Sequence, residues 1–285
     1  MIGQELLQSF LNDESGIEGW FYPADILSLA AIDSIQVAMG MRGSICEVGV
    51  YKGKSLVFLS HLIRAELGER LFGFDLFPGR LREEAEENCR LHGAPCELQL
   101  IASDTALLTG ELLTPLLTGG VRLLHIDAGH EYHEVFHQAV LFAPFVQRNG
   151  VIVFDDYQDR EFPGIEAAVL DFCEIDRPRR FVPFFSGANK MYCCEATFAS
   201  TYQQQLLQIE AVAGQCRLSR VRDFELLIGW SKLPVDPKVL LARIGETAAP
   251  LIYALDQQRL ANQAAASDQL KRSGILIGPL APGDG

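Results

Sequence analysis

A doubly wound α/β fold built on a mostly parallel sheet is what this sequence predicts, and three observations carry that prediction. Between about residues 42 and 196, short apolar runs alternate with amphipathic stretches of helical length. The apolar runs are continuous, as strands covered on both faces must be. Five of these runs also end at acidic residues, which packing alone does not explain.

Taken in order, SICEVGV precedes the helical KSLVFLSHLIRAEL, and RLFGFDLF precedes the charged, helix-prone LREEAEENCRLHG. CELQLIASD leads into TALLTGELLTPLL, VRLLHIDA into EYHEVFHQAVLFAPFV, and GVIVFDD into IEAAVLDFCEI. Parallel neighbours need crossover connections, so this alternation implies helices on both faces of the sheet. RFVPFF and KMYCCE follow with only SGAN between them, which predicts a terminal antiparallel hairpin and a seven-stranded sheet. Residues 1–41 form an N-terminal helical segment, whose ADILSLAAIDSIQVAM either packs beside the sheet or covers the site. Residues 197–285 read as a mainly helical extension, through TYQQQLLQIEAVAGQCRL, PKVLLARIGETAAPLIYAL and DQQRLANQAAASDQLKRS. Its amphipathic helices need a partner surface, which leaves room for a homo-oligomer.

Composition narrows the function classes. Apolar residues make up 48% of the 285, enough for a sizeable core. The formal net charge of −13 repels polyphosphate and anionic headgroups, so neither nucleic acid nor a membrane surface is an expected partner. Arg177, Arg179 and Arg180 beside Pro178 read as a solvated charge run rather than a phosphate site. The seven cysteines form neither a disulfide framework nor a CxxC pair. The N-terminus has no signal-peptide pattern, and no apolar run reaches membrane-spanning length. The expected location is the cytoplasm.

In an open parallel sheet, ligands bind beyond the carboxyl ends of the strands, which directs attention to the loops there. The first, Glu47-Val48-Gly49-Val50-Tyr51-Lys52-Gly53-Lys54-Ser55, is neither a GxGxxG fingerprint nor a P-loop. Such a glycine-poor turn suits a nucleoside-type ligand without a pyrophosphate. Gly49 allows close backbone approach, Gly53 turns the chain into the helix, and Glu47 would suit a cationic amino-acid end. Asp75 is placed to accept from two ribose hydroxyls, or else to cap a helix. Ser103 and Asp104 lie where an adenine edge would reach, or form a plain N-cap.

Asp127, Asp155 and Asp156 are the strongest signal. Three carboxylates on neighbouring strand ends repel unless a cation sits among them, and oxygen-only ligands point to Mg²⁺, Mn²⁺ or Ca²⁺. The alternative is that one caps a helix and another faces solvent. His130, three residues after Asp127, is a candidate general base above that point. His133 and His137 have the spacing of a metal pair without an HExxH arrangement and read as surface or packing residues.

Together, EVGVYKGKS, GFD, HIDAGHEY and VIVFDDY, in this order, resemble the class I S-adenosylmethionine-dependent methyltransferases, with their Rossmann-like sheet. More narrowly they resemble the metal-dependent sugar O-methyltransferases of macrolide and aminocoumarin biosynthesis, and cephalosporin-hydroxylase-like proteins. The similarity spans about residues 42–195. It implies S-adenosylmethionine and Mg²⁺ (or Mn²⁺) as cofactors and a small hydroxylated acceptor as partner. It further implies that Glu47, Gly49, Tyr51, Gly53, Ser55, Asp75, Ser103, Asp104 and Asp127 bind the donor. Asp127, Asp155 and Asp156 would hold the metal, and His130 and Asp127 would serve catalysis. A hydroxylase, or a non-catalytic donor-binding protein on the same sheet, stays open at this point.

Overall fold

Helices α1 (Gln4–Leu11) and α2 (Pro23–Ala38) come first in the computed structural model, which describes residues 2–229. The alternating section follows as β1 (Ser44–Val48), α3 (Lys54–Ser60), β2 (Arg70–Asp75), α4 (Leu81–His92), β3 (Glu97–Ala102) and α5 (Gly110–Leu117). It continues as β4 (Val121–Ile126), α6 (Tyr132–Phe142), β5 (Val146–Phe154) and α7 (Pro163–Phe172), then the hairpin β6 (Phe181–Gly187) and β7 (Lys190–Glu195). Last among the described residues are α8 (Ala199–Leu206), α9 (Glu210–Ala213), β8 (Cys216–Val221) and β9 (Phe224–Gly229).

The strands form one sheet in the order β3-β2-β1-β4-β5-β7-β6-β9-β8. The first five are parallel, and β7 is antiparallel to both β5 and β6. The expected seven strands are therefore present, and two more extend the edge. β9 pairs in parallel with β6, and β8 closes an antiparallel hairpin onto it. This corrects the helical reading of the tail up to residue 229. The helical pattern of TYQQQLLQIEAVA stops at Gly214, and CRLSRV and FELLIG then pair across a turn at Arg222, whose φ is +48°. The helices expected at residues 237–255 and 256–273 lie outside the described residues. No described helix is long and apolar enough to cross a membrane.

Register decides which side chains meet. Glu47 pairs with His125, His125 with Val153, and Val153 with Tyr192. Strand side chains alternate, so residues two apart share a face. Ile45, Leu123, Val151, Val153 and Tyr192 form one face, packed against Ile26 and Leu29 of α2 and Leu56 of α3. Cys46, Leu124, Ile152 and Met191 form the other, under Val135 of α6 and Val169 of α7. Extending the first face by parity to the strand ends collects Glu47, His125, Asp127, Asp155 and Lys190. These five charged or titratable side chains are thereby directed to one side, toward Asp25 at the N-terminal end of α2.

Arg122, fully buried, ties α2 to the sheet. It is 2.9 Å from Asp33, donates to Gln36 at 2.7 Å and donates to the Leu62 carbonyl at 2.7 Å. Helix α2 thus packs beside the sheet, while residues 19–22 ahead of it reach the cavity described next.

Candidate active site

The strand order reverses between β1 and β4, and the loops after β3, β1, β4 and β5 continue the ladder beyond the strand ends. Ser103 N–H donates to the Asp75 carbonyl at 2.9 Å and Gly49 to Phe74 at 2.8 Å. Asp127 donates to Val48 at 2.7 Å and Asp155 to Ile126 at 3.0 Å. Above them opens a cavity of about 1230 Å³. That exceeds the roughly 300–1,000 Å³ of a single small-ligand site, so there is room for two small ligands. Gly49 is required at its floor: with φ at +95°, an added Cβ would lie 2.1 Å from the Asp127 carbonyl oxygen.

On the β1–β2 side, the Asp75 carboxylate organises the backbone. Its Oδ2 accepts from Val50 N at 2.7 Å and Tyr51 N at 2.9 Å, and its Oδ1 accepts from Phe77 N at 2.8 Å. The carboxylate also lines the cavity, with lone pairs left for a ligand hydroxyl. Tyr51, Ser55, Ser103 and Asp104 line the same half. Asp104 in addition caps a short 3₁₀ turn through Ala106 N at 2.9 Å, so the N-cap reading describes it as well. Tyr51 (φ +50°) and Phe77 (φ +49°) hold left-handed backbone, a conformation costing about 1–2 kcal/mol in a non-glycine residue.

Two residues expected to touch the donor do not line the cavity. Glu47 is fully buried, and its Oε1 is 2.9 Å from Nδ1 of His125. The reason is register: Glu47 lies two residues below the loop and faces its cross-strand neighbour. Gly53, at φ +82°, opens α3 and packs close to Ala85 of α4.

The β4–β5 side is built from charge. Ligand atoms of His125, Asp127 and Asp155 lie within 4.8 Å of one another. Asp155, 6% exposed, is in ionic contact with the buried Lys190 and lies 3.6 Å from His125 Nε2. That 3.6 Å separation is ionic rather than a hydrogen bond. Burial alone would raise the Asp155 pKa, but Lys190 and His125 hold it well below the usual carboxylate range. Burial opposes a charge on His125, yet Asp155 and Glu47 on either side raise it to about 9. Burial, then the Asp155 charge, pushes Asp127 well up.

Asp156, expected in the same cluster, is not brought into it. One residue beyond Asp155 and past the end of β5, it has φ at +51° and lines the same cavity, outside the group of three. Its Oδ1 accepts from Asn189 at 3.1 Å, and its Oδ2 lies 3.3 Å from His130 Nε2. His130 is about half exposed, faces the cavity and stacks on Phe162 with ring centroids 4.0 Å apart. His133 and His137 line the wall beyond it, and His137 Nε2 lies 3.2 Å from the Thr105 carbonyl oxygen. Residues missed from the sequence complete the mouth: Trp20 (75% exposed), Tyr22 (50%), Phe162 and Asn189. His125 and Lys190 were also missed. The legible signal was a charged residue inside otherwise apolar strand runs, VRLLHI and KMYCC.

Asp127 and Asp155 offer converging hard oxygens on a buried edge, where like charges raise Asp127, and this fits Mg²⁺ or Mn²⁺. His125 is engaged by Glu47 through Nδ1 and belongs to the frame behind them.

Comparison with known proteins gives matches to part of the chain. Residues 46–157 match a family model described as a methyltransferase domain. The uncharacterised protein R132 of Acanthamoeba polyphaga mimivirus is 30% identical over 144 residues, 48% of this chain and 62% of that protein. The chain thus covers less than two thirds of that relative's length. Similar solved structures include the O-methyltransferase NovP, at 16% identity and a TM-score of 0.48 over 60% of this chain and 80% of that one. Another is CalS11, a TDP-rhamnose 3'-O-methyltransferase in calicheamicin biosynthesis, at 19% identity and a TM-score of 0.42 over 53% and 72%. The matched segment carries the strand-order reversal, the Gly49 turn and Asp75, and residues 46–157 are similar to a methyltransferase domain.

Proposed function

We propose that the protein transfers the methyl group of S-adenosylmethionine to a hydroxyl oxygen of a small polyhydroxylated acceptor, a sugar or another vicinal diol, with a divalent cation. The observation that carries this reading is His130: an imidazole facing the cavity, oriented by Asp156 at 3.3 Å and by the Phe162 ring. A hydroxyl needs a base to become a nucleophile, and a positioned imidazole meets that need near neutral pH. A non-catalytic donor-binding protein has no use for such a group.

In this reading Asp75 accepts the ribose hydroxyls while its backbone bonds keep the Gly49 turn in place. Asp127 and Asp155 would hold the cation, which when bound lowers the pKa of an acceptor hydroxyl. His130 Nδ1, the ring nitrogen that does not face Asp156, takes the proton from the acceptor oxygen, and Asp156 at Nε2 stabilises the imidazolium that results. Trp20, Tyr22 and Phe162 wall the acceptor side and exclude water from the reacting oxygen. The sulfonium donor supplies an electrophilic methyl carbon, so the chain's own work is orientation and desolvation.

A panel of hydroxylated acceptors incubated with labelled donor, with and without EDTA, tests the reading. A methyl ether that forms with Mg²⁺ or Mn²⁺ and is lost on chelation is expected. Methylation at nitrogen or carbon only, or full turnover in excess EDTA, contradicts it.

A further inference from the structure

Lys190 does not line the cavity, yet it carries a full charge at the edge of the sheet. It is 0% exposed, in ionic contact with Asp155, and 4.0 Å from Asp25 Oδ2 at the start of α2. Burying an ammonium costs several kcal/mol, and a well-packed apolar side chain would serve the fold at least as well. The rest of β7 is apolar or aromatic up to Glu195. A charge at this single position therefore needs a reason other than stability.

The second partner supplies one. Asp25 Oδ2 accepts from Tyr22 N at 3.0 Å, while Asp25 Oδ1 is buried without a hydrogen-bond partner. The ammonium thus sits between a carboxylate that reaches the cavity, Asp155, and a second that has an unused acceptor. A move from the first toward the second keeps the lysine paired throughout. Tyr22, bonded to that second carboxylate, lines the cavity mouth.

We propose that Lys190 is the resident counter-cation of the Asp127–Asp155 pair, and that a divalent ion competes with it for Asp155 and transfers it toward Asp25. This rests on the reading of Asp127 and Asp155 as cation ligands. It makes Lys190 a positioning residue: it keeps Asp155 ionised and aimed when no ion is bound, and it sets how tightly an ion is held. Two positive charges at one carboxylate repel, so removing one strengthens the other's attraction.

Mn²⁺ binding, followed by electron paramagnetic resonance on the full chain, tests this without any turnover. Lys190→Met should bind Mn²⁺ at least tenfold more tightly than the wild type, and Lys190→Arg should stay within about threefold of it. If the Met variant does not fold, Lys190→Gln, which keeps a donor for Asp155, gives the same comparison. Equal or weaker Mn²⁺ affinity in the neutral variant overturns the proposal, as does failure of both wild type and variant to bind. Failure of the functional reading shows separately, as absence of methyl ether from the acceptor panel while Mn²⁺ affinities still differ.

Discussion

The two halves of the cavity are held by different forces. On the β1–β2 side, one carboxylate, Asp75, gathers three backbone N–H groups around a glycine turn. On the β4–β5 side, alternating charges run from Glu47 through His125 and Asp155 to Lys190 and Asp25. Fixed backbone donors suit a ligand of constant shape, such as a nucleoside. An ionic chain that can redistribute charge suits a site where a cation binds and a proton moves. The contrast predicts that the halves fail separately, except where they touch.

They touch at Gly49, and that is where the largest effect is expected. Gly49→Ala places a Cβ 2.1 Å from the Asp127 carbonyl oxygen, so both halves should be lost together. The readout is donor binding and Mn²⁺ binding on the same sample; retention of either would show that the halves share no floor. His130→Ala should break only the acceptor half. It should lower kcat by roughly 10²–10⁴ while leaving S-adenosylhomocysteine affinity within twofold. Rescue of that rate by excess Mg²⁺ would reduce His130 to an orienting residue.

A smaller effect sharpens the reassignment of Glu47. His125 has its pKa raised from 6.5 to about 9 in the folded chain. A raised histidine contributes stability that is fully present below the unfolded value and is lost as pH rises through the folded one. The urea midpoint should therefore fall between about pH 6.5 and 9. Glu47→Gln should flatten that slope and leave donor affinity unchanged. A drop in donor affinity with an unaltered slope would return Glu47 to the donor site. The smallest effect belongs to Asp104→Ala, which removes a helix-turn cap worth roughly 1 kcal/mol and should shift donor affinity little.

How much of this was legible in the sequence follows from the same contrast. Gly49, Asp75, Asp127 and Asp155 sit at strand ends, and strand ends can be found from apolar runs alone. The Glu47–His125 pair and Lys190 lie within strands, where partners depend on register between segments 35 to 78 residues apart. Local pattern carries no such information. Asp155 and Asp156 are adjacent in sequence, but Asp156 lies past the strand end with φ at +51°, a local turn that the apolar pattern does not reveal. The β8–β9 hairpin was obscured for a related reason: only Gly214 and Gln215 separate the helical pattern of TYQQQLLQIEAVA from the CRL that begins β8.

Calorimetric titration of S-adenosylhomocysteine into the wild type, Asp75→Ala and His130→Ala tests the division most directly. Binding to the wild type, a loss of roughly tenfold or more in Asp75→Ala, and a change within twofold in His130→Ala are expected. Equal affinity in all three proteins, or a loss confined to His130→Ala, would contradict it.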